Sequence, residues 1–456
     1  MADALPSLTP EPFLDDLAWR GLIHQCTDEP GLRAHLRGGP RRAYAGFDPT
    51  ADSLTIGNLV PLLMLARLQR AGHAPVVLMG GATGLIGDPS GKSAERSLQT
   101  RDRVDANIAG QRRVFERLID FSAGSRADRA PILVNNADWI GGLSFLDALR
   151  DVGKHFSVNQ MIQKESVRER LTNRDQGISY TEFSYMILQA YDFAHLHRAM
   201  GVTLQMGGSD QWGNITAGLD LIRKLRGSDE RDERDAASAR NSADPRDAHY
   251  GLTTPLVTKA DGTKFGKSES GAVWCTSDRT SPYALYQFWL NAADADVGRF
   301  LRTFTFLSRE EIESLEARHA QNPGQREAQR ALAREVTTLL HGPTETDHAE
   351  RAAKALFSGD IADLSASMLD EVFAGAPTTT HARTLLDPGM PVLDLLVAAG
   401  VCASKGQAKE LLAGGSITIN GRKVAQGDML SAADLLHGSV AAIRRGKKNW
   451  HVTRWQ

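Results

Sequence analysis

The chain has 456 residues, 41% hydrophobic and 24% charged content and a formal net charge of −2, which is room for about three domains on the usual scale of 100 to 200 residues each. That composition is ordinary for a soluble globular protein, and no apolar run reaches membrane-spanning length, so no membrane partner is expected. Cys26, Cys275 and Cys402 form no C-x-x-C pair, which argues against a zinc knuckle or a disulfide framework, and the acidic start (Glu11, Asp15, Asp16) is unlike a signal peptide. The reading is a cytoplasmic enzyme-sized chain with no protein-bound metal.

In chain order, Arg42 to Phe47 reads as a strand, followed by the turn Asp48-Pro49-Thr50-Ala51-Asp52-Ser53. A helix with the stripe Leu59, Leu62, Leu63, Leu65, Ala66 and Leu68 starts at Thr55-Ile56-Gly57-Asn58 and stops at Gly72. A helix start just beyond a parallel strand offers free N–H groups and a positive dipole end, where phosphates bind in open α/β sheets. The strand Ala74 to Met79 runs into Gly80-Gly81-Ala82-Thr83-Gly84-Leu85-Ile86-Gly87-Asp88-Pro89-Ser90-Gly91-Lys92. There Asp88 suits an ammonium group, while Lys92 and Arg96 face anions. By itself this glycine pattern fits many nucleotide folds.

Helices are expected at Val104 to Ile119 and Leu143 to Val152, with a strand at Pro131 to Val134 between them. In a helix from Thr181 to Met200, Tyr185, Gln189 and Asp192 share one face and could grip a zwitterion or a phenol, or simply form a wet surface. The strand Val202 to Met206 leads into Gly207-Gly208-Ser209-Asp210-Gln211-Trp212-Gly213-Asn214, with Asp210 suited to ribose hydroxyls. Residues 227 to 248, charged and nearly without apolar side chains, read as a disordered insertion. Leu252 to Thr258 then resumes the sheet.

Lys259-Ala260-Asp261-Gly262-Thr263-Lys264-Phe265-Gly266-Lys267-Ser268-Glu269-Ser270 reads as a cationic lid over a polyphosphate. Gly262 and Gly266 free the backbone around two ammonium groups three residues apart. In isolation the pattern also fits a solvated turn.

Beyond Pro282 the pattern turns to amphipathic helices, with a capping box at Ser308 to Glu311, helices at Ala328 to Leu340 and Ala349 to Phe357, and a linker near 376–380 and 387–389. A compact terminal unit follows: a helix from Ser404 to Leu412, a hairpin turning at Asn420-Gly421, and the basic run Arg444-Arg445-Gly446-Lys447-Lys448. Residues 393–456 hold nine Lys/Arg against four Asp/Glu on an otherwise acidic chain. Lys405, Lys409, Arg422, Lys423, Arg444, Arg445, Lys447 and Lys448 fit RNA backbone binding, with Trp450 available for stacking.

Tyr44 to Thr50, Gly80 to Ser90, Gly153 to Phe156, Thr181 to Phe193, Gly207 to Thr216 and Lys259 to Ser268 together resemble, in order, successive blocks of bacterial tyrosyl-tRNA synthetases. The resemblance implies an α/β fold: a Rossmann-type parallel-sheet catalytic domain over 1–272, an α-helical anticodon-side domain over 273–375, a linker over 376–392, and a small α+β RNA-binding domain over 393–456. It implies a homodimer using L-tyrosine, ATP with Mg²⁺, and tRNA(Tyr).

By the same resemblance Tyr44 and Asp192 would bond the substrate phenol, and Asp88, Tyr185 and Gln189 its ammonium group. Phenylalanine would leave these phenol partners unpaired, a discrimination already known of this family. Gln211 would meet the carboxylate, and Asp48, Gly208, Asp210 and Val257 the tyrosine or adenosine. Thr50, Lys92, Arg96, Lys264, Lys267 and Ser268 would stabilise the leaving diphosphate, with Thr55, Gly57 and Asn58 at the ATP.

The family reads H-x-G-H or H-x-G-N where this chain has Thr55-Ile56-Gly57-Asn58. A lost imidazole donor would cost about 3 kcal/mol, on the order of a hundredfold in rate. Either the Thr55 hydroxyl or a water replaces it, or the chain is a weakened paralogue that binds tyrosine or tRNA as a regulator. The otherwise intact pocket and lid favour the first.

Overall fold

The computed structural model describes residues 13–87, 98–122, 130–164, 167–168, 171, 178–232, 248–260, 262, 265–268, 271–446 and 449–456. They form two compact units, residues 1–280 with 291–340, and residues 281–290 with 341–456.

The first unit is built on six strands: β1 (Gln25–Cys26), β2 (Arg42–Phe47), β3 (Ala74–Met79), β4 (Ile132–Asn135), β5 (Val202–Gly208) and β6 (Tyr250–Thr254), in the order β1-β6-β5-β2-β3-β4. All pairings are parallel except that of β1 with β6. Every residue of β3 is buried, as a continuous apolar run covered on both sheet faces requires. The order reverses at β2, which has β3 on one side and β5 on the other. At such a switch point the departing loops diverge and leave a crevice beyond the carboxyl ends of the strands.

The helices that frame this crevice start and stop for local reasons. The Leu59–Arg70 helix buries nine of its twelve residues. The Tyr180–Met200 helix begins at Ser179, whose side chain accepts from the Glu182 amide, and ends at Gly201 with φ 65°. Its apolar face packs with the Trp212–Asp232 helix through Ala190, Phe193, Ile215 and Leu219. The Ser308 capping box is present at the head of the Arg309–Gln321 helix.

Several expected boundaries shift. Leu143 to Val152 is not one helix but a turn at Phe145–Asp147, a π-type turn at Ala148–Val152 and a 3-10 turn at Gly153–His155. Phe145, Leu146 and Leu149 stay exposed, so no buried stripe within the chain enforces a 3.6-residue period there. The Trp212–Asp232 helix continues past Gly227 into the supposed insertion, and residues 233–247 lie outside the described set. Strands β7 (Lys267–Ser268) and β8 (Gly271–Ala272) pair as a short hairpin within the lid segment.

The second unit holds a five-stranded sheet of β9 (Thr378–His381), β11 (Ile417–Ile419), β12 (Arg422–Lys423), β14 (Val440–Arg445) and β15 (Asn449–Trp455), in the order β12-β11-β14-β15-β9. A separate pair joins β10 (Met390–Pro391) to β13 (Met429–Leu430). Thr378–His381, read as linker, is instead a strand pairing parallel with β15, because three β-branched threonines suit an open sheet edge. Asn420 and Gly421, at φ 48° and 83°, make the expected hairpin turn.

One face of this sheet packs Ile417, Ile419 and Ile443 on Leu395, Leu396 and Leu412. The other packs Ala442, Val452 and Trp450 on Ala352, Ala355 and Phe373. Trp450 lies with its ring centroid 5.1 Å from that of Phe373, so it serves this core and is not a free platform for a base.

Candidate active site

The crevice is lined by the segments that leave the carboxyl ends of the parallel strands. On β2, Tyr44 is fully buried beside Phe193, ring centroids 5.4 Å apart, and its hydroxyl has no hydrogen-bond partner among the described residues. Burial first, and the neighbouring Asp192 second, hold its ionisation well above the ordinary tyrosine range. A buried hydroxyl without a partner costs about 1–3 kcal/mol, a strain that a polar ligand group can relieve.

Asp192, on the Tyr180–Met200 helix, is 2% exposed. It accepts from Asn136 Nδ2 at 3.0 Å and from the Trp139 indole at 2.8 Å. Burial outweighs these two bonds, and with the nearby Asp48 charge its pKa rises to about 7. The Trp139 ring is stacked on His195, centroids 4.5 Å apart, which fixes the direction of its N–H.

Asn136 and Trp139 were not anticipated. Asn135 and Asn136 close a parallel strand beside the crevice, and that position was the available signal. Asn136 also accepts from the Ala82 amide at 2.7 Å and donates to the Thr83 hydroxyl at 3.1 Å. Thr83 in turn donates to Asp48 Oδ1 at 2.9 Å, and Tyr185 to Asp48 Oδ2 at 3.1 Å. A single carboxamide therefore ties together the glycine turn and the hydrogen-bond chains to both carboxylates. Glycine lets the turn lie against these groups: a Cβ on Gly80 would lie 2.3 Å from Asp48 Oδ1, and one on Gly81 2.1 Å from Asn135 Oδ1, so either would displace the side chain it meets.

The segment after β2 is clamped from behind. Asn107 donates to the Pro49 carbonyl at 2.8 Å, and Gln111 to the Ala51 carbonyl at 3.0 Å. Thr50 is exposed at the tip, its amide bonded to the Asp48 carbonyl. Next come Thr55, half-buried, with Gly57 and Asn58 exposed at the head of the Leu59–Arg70 helix. After β5, a Cβ on Gly208 would meet Asp210 Oδ1 at 2.6 Å and Leu256 Cδ2 at 3.4 Å. Asp210 accepts from Gln211, and Gln211 from Asn214. Val257 is half-buried past β6, and Gln189 half-buried on the helix of Asp192.

The lid segment is anchored, contrary to its glycine-rich look. Phe265 packs between Phe300 and Phe304, at 4.8 and 5.2 Å. The Ala260 amide donates to the buried carboxylate of Asp296 at 3.2 Å, and Arg299, paired with Asp296 at 2.7 Å, reaches the Thr258 carbonyl. Gly266 accepts from the Val273 amide at 3.1 Å, and Val273 from the Ile56 amide at 3.1 Å. The lid backbone is thus stitched to the Thr55–Asn58 turn.

Asp88, Lys92, Arg96, Lys264, Lys447 and Lys448 lie outside the described residues, and Lys267 and Ser268 are described as backbone in β7. In the second unit Lys405, Lys409, Arg422 and Lys423 are exposed, with Lys405 paired to Asp394 and Arg422 near Asp434. Arg445 reaches the Val401 carbonyl, and Arg444 lies over Trp450, on the face that packs against Ala352 and Phe373. No group of three or more His, Cys, Asp or Glu among the described residues is arranged to hold a metal ion.

The profile of class I tRNA synthetases (W and Y) matches residues 36–358, and that of the tyrosine–tRNA ligase SYY-like C-terminal domain matches residues 369–453. The chain is 50% identical to the tyrosine–tRNA ligase of Geobacillus stearothermophilus over 444 residues, 97% of this chain and 99% of that one. It is 48% identical to that of Staphylococcus epidermidis over 445 residues, with the same shares covered. Among solved structures, a C-terminally truncated mitochondrial tyrosyl-tRNA synthetase of Aspergillus nidulans superposes with a TM-score of 0.65 at 31% identity, over 76% of this chain and 94% of that one.

Proposed function

This chain belongs to the tyrosine–tRNA ligases of the class I tRNA synthetases, and from that membership we propose that it activates L-tyrosine with ATP and transfers the tyrosyl group to the 3′ end of tRNA(Tyr). In the first step a carboxylate oxygen of tyrosine attacks the α-phosphorus in line, and the bond to the bridging oxygen breaks. Tyrosyl-AMP forms and diphosphate leaves. In the second step a ribose hydroxyl of the terminal tRNA nucleotide attacks the acyl carbon, and AMP leaves. No covalent enzyme intermediate is needed, so catalysis consists of positioning and charge stabilisation.

The observation that carries the reading is the buried, unpaired Tyr44 hydroxyl beside Asp192. A phenol O–H donating to Asp192 and accepting from Tyr44 satisfies both, whereas a phenyl ring satisfies neither. Asp88, Tyr185 and Gln189 hold the ammonium group and Gln211 the carboxylate. Asp48, Gly208, Asp210 and Val257 receive the tyrosine or nucleoside, and Gly57 allows close backbone approach of the phosphates. Thr50, Thr55, Asn58, Lys92, Arg96, Lys264, Lys267 and Ser268 serve the phosphates. Mg²⁺ would enter with the ATP and would supply positive charge at the phosphates, beside the hydroxyl and amide donors of Thr50, Thr55 and Asn58.

For the other partners, Lys405, Lys409, Arg422 and Lys423 offer an exposed cationic face to tRNA, with Arg444, Arg445, Lys447 and Lys448 nearby in sequence. Exposed Phe145, Leu146, Leu149, Val158 and Ile162 support a second copy of the chain as their cover, giving a homodimer. No helix among the described residues is long and apolar enough to cross a membrane, and we assign the enzyme to the cytoplasm.

The test is tyrosine-dependent exchange of pyrophosphate into ATP, with phenylalanine as control, followed by charging of tRNA(Tyr). Exchange with tyrosine alone is the expected result. Binding of tRNA without exchange would point to a regulator instead.

A further inference from the structure

Thr55 to Asn58 form a closed turn at the head of the Leu59–Arg70 helix. The Thr55 hydroxyl donates to Asn58 Oδ1 at 2.7 Å and the Thr55 amide to the same oxygen at 3.3 Å. The Asn58 amide donates back to the Thr55 carbonyl at 3.0 Å. An atom that takes two donors is the oxygen end of a carboxamide, so the Asn58 NH₂ is directed away from Thr55.

Two further features fix the turn. Asn58 stands where a helix-capping side chain belongs, yet makes no cap bond; its oxygen is engaged by Thr55 instead. Thr55 is itself held by an antiparallel bridge to Trp274 and by the neighbouring Ile56 amide on the Val273 carbonyl, and a β-branched side chain is stiff at χ1. The lid passes beside it: a Cβ on Gly266 would lie 3.5 Å from Ile56 Cγ1 and 3.8 Å from Gly57 N.

We infer that Thr55 is a positioning residue for the activation step: its hydroxyl and amide hold the Asn58 oxygen and so aim the Asn58 NH₂ at the polyphosphate of ATP. The inference rests on the synthetase reading above. It bears on what stands in place of the missing histidine. The Thr55 hydroxyl proton is engaged by Asn58, so threonine does not stand in for the imidazole by reaching the phosphate itself. The donor that remains in the turn is Asn58, three residues later at the positive end of a twelve-residue helix, and threonine keeps it oriented.

The experiment is tyrosine-dependent pyrophosphate exchange on the full-length chain and on Thr55→Val, Thr55→Ser, Asn58→Ala and the double variant Thr55→Val/Asn58→Ala. Thr55→Val is expected to lower kcat about tenfold with the tyrosine KM unchanged, because a misaimed donor loses most of its preorganisation. Thr55→Ser keeps the hydroxyl and stays within about twofold of the parent. The double variant is no slower than Asn58→Ala, since orienting an absent group has no effect.

Full activity in Thr55→Val, a serine variant as slow as the valine one, or losses that multiply in the double variant would each overturn the inference while leaving the synthetase reading intact. An inactive parent chain would overturn both.

Discussion

Asn136 Nδ2 lies 3.0 Å from Asp192 Oδ2 and 3.1 Å from the Thr83 hydroxyl, which itself donates to Asp48. The carboxylate proposed for the phenol and the carboxylate after β2 therefore share one positioning group. Asn136 is fully buried, so deleting its side chain strands the Ala82 amide and removes one of the two donors to Asp192. Asn136→Ala is expected to raise the tyrosine KM on the order of tenfold and to lower stability by about 1–3 kcal/mol. Exchange kinetics at varied tyrosine and urea unfolding measure the two effects. A change in stability alone would make Asn136 a fold residue only.

The Asp192 carboxyl gives a pH dependence with a defined sign. Burial raises its pKa to about 7, whereas an unfolded aspartate titrates near about 4. Between those values the folded chain holds a proton that the unfolded chain has lost. This group's contribution to stability therefore falls as pH rises from about 4 to about 7 and is level above that. Tyrosine binding runs the other way, because the ionised carboxylate is the stronger acceptor for the phenol O–H, while the protonated acid keeps only a neutral carbonyl acceptor. The tyrosine KM should rise as pH drops below 7 and level off once the group is protonated, and Asp192→Asn should flatten the profile.

What the sequence disclosed came from local rules. The buried run Ala74–Met79, the Ser308 cap and the Asn420-Gly421 turn depend on residues within one element, and all lie where periodicity and capping chemistry put them. Asp192 lies near both Tyr44 and Asp48, but Asn136 and Trp139 escaped notice. Their shared partner, Asp192, lies 56 and 53 residues further along the chain, and an asparagine after a strand also fits a plain turn. Trp450 misled for the same reason in reverse: a tryptophan beside a basic run reads as a stacking platform until Phe373, far off in the chain, is seen to cover it.

Gly110 tests how tightly the loop after β2 is held. In an open helix, glycine to alanine gains about 1 kcal/mol. Here a Cβ on Gly110 would lie 2.1 Å from the Asp52 carbonyl oxygen and 2.8 Å from its carbon, and backbone cannot swing aside as a side-chain tip can. Gly110→Ala is therefore expected to destabilise by about 1–3 kcal/mol and to weaken ATP use, since the Asn107 and Gln111 bonds to the same loop shift with it. Urea unfolding decides the sign.

The exposed cations of the second unit separate the two chemical steps. Replacing Lys409, Arg422 and Lys423 with alanine should raise the KM for tRNA and reduce its salt dependence, by about 0.7 to 0.9 in log–log slope for each phosphate no longer neutralised. Pyrophosphate exchange involves no tRNA and should keep its rate. Charging measured across a salt series, with exchange run alongside, checks both halves.

Phe265 is the apolar anchor of the lid segment. Its ring sits 4.8 Å from Phe300 and 5.2 Å from Phe304, while the adjoining Gly266 carbonyl takes the Val273 amide that continues to the Thr55–Asn58 turn. Phe265→Ala removes the apolar packing but leaves every polar group of the crevice in place. Lys264 and Lys267, proposed to serve the phosphates, flank this ring in sequence, so kcat for exchange should fall about tenfold with the tyrosine KM unchanged, because a small misplacement of a preorganised cation is costly. Phe265→Leu, which keeps most of that packing, should recover the larger part. A fall in kcat that moves together with the tyrosine KM would instead mean that the aromatic cluster supports the whole pocket and not the lid alone.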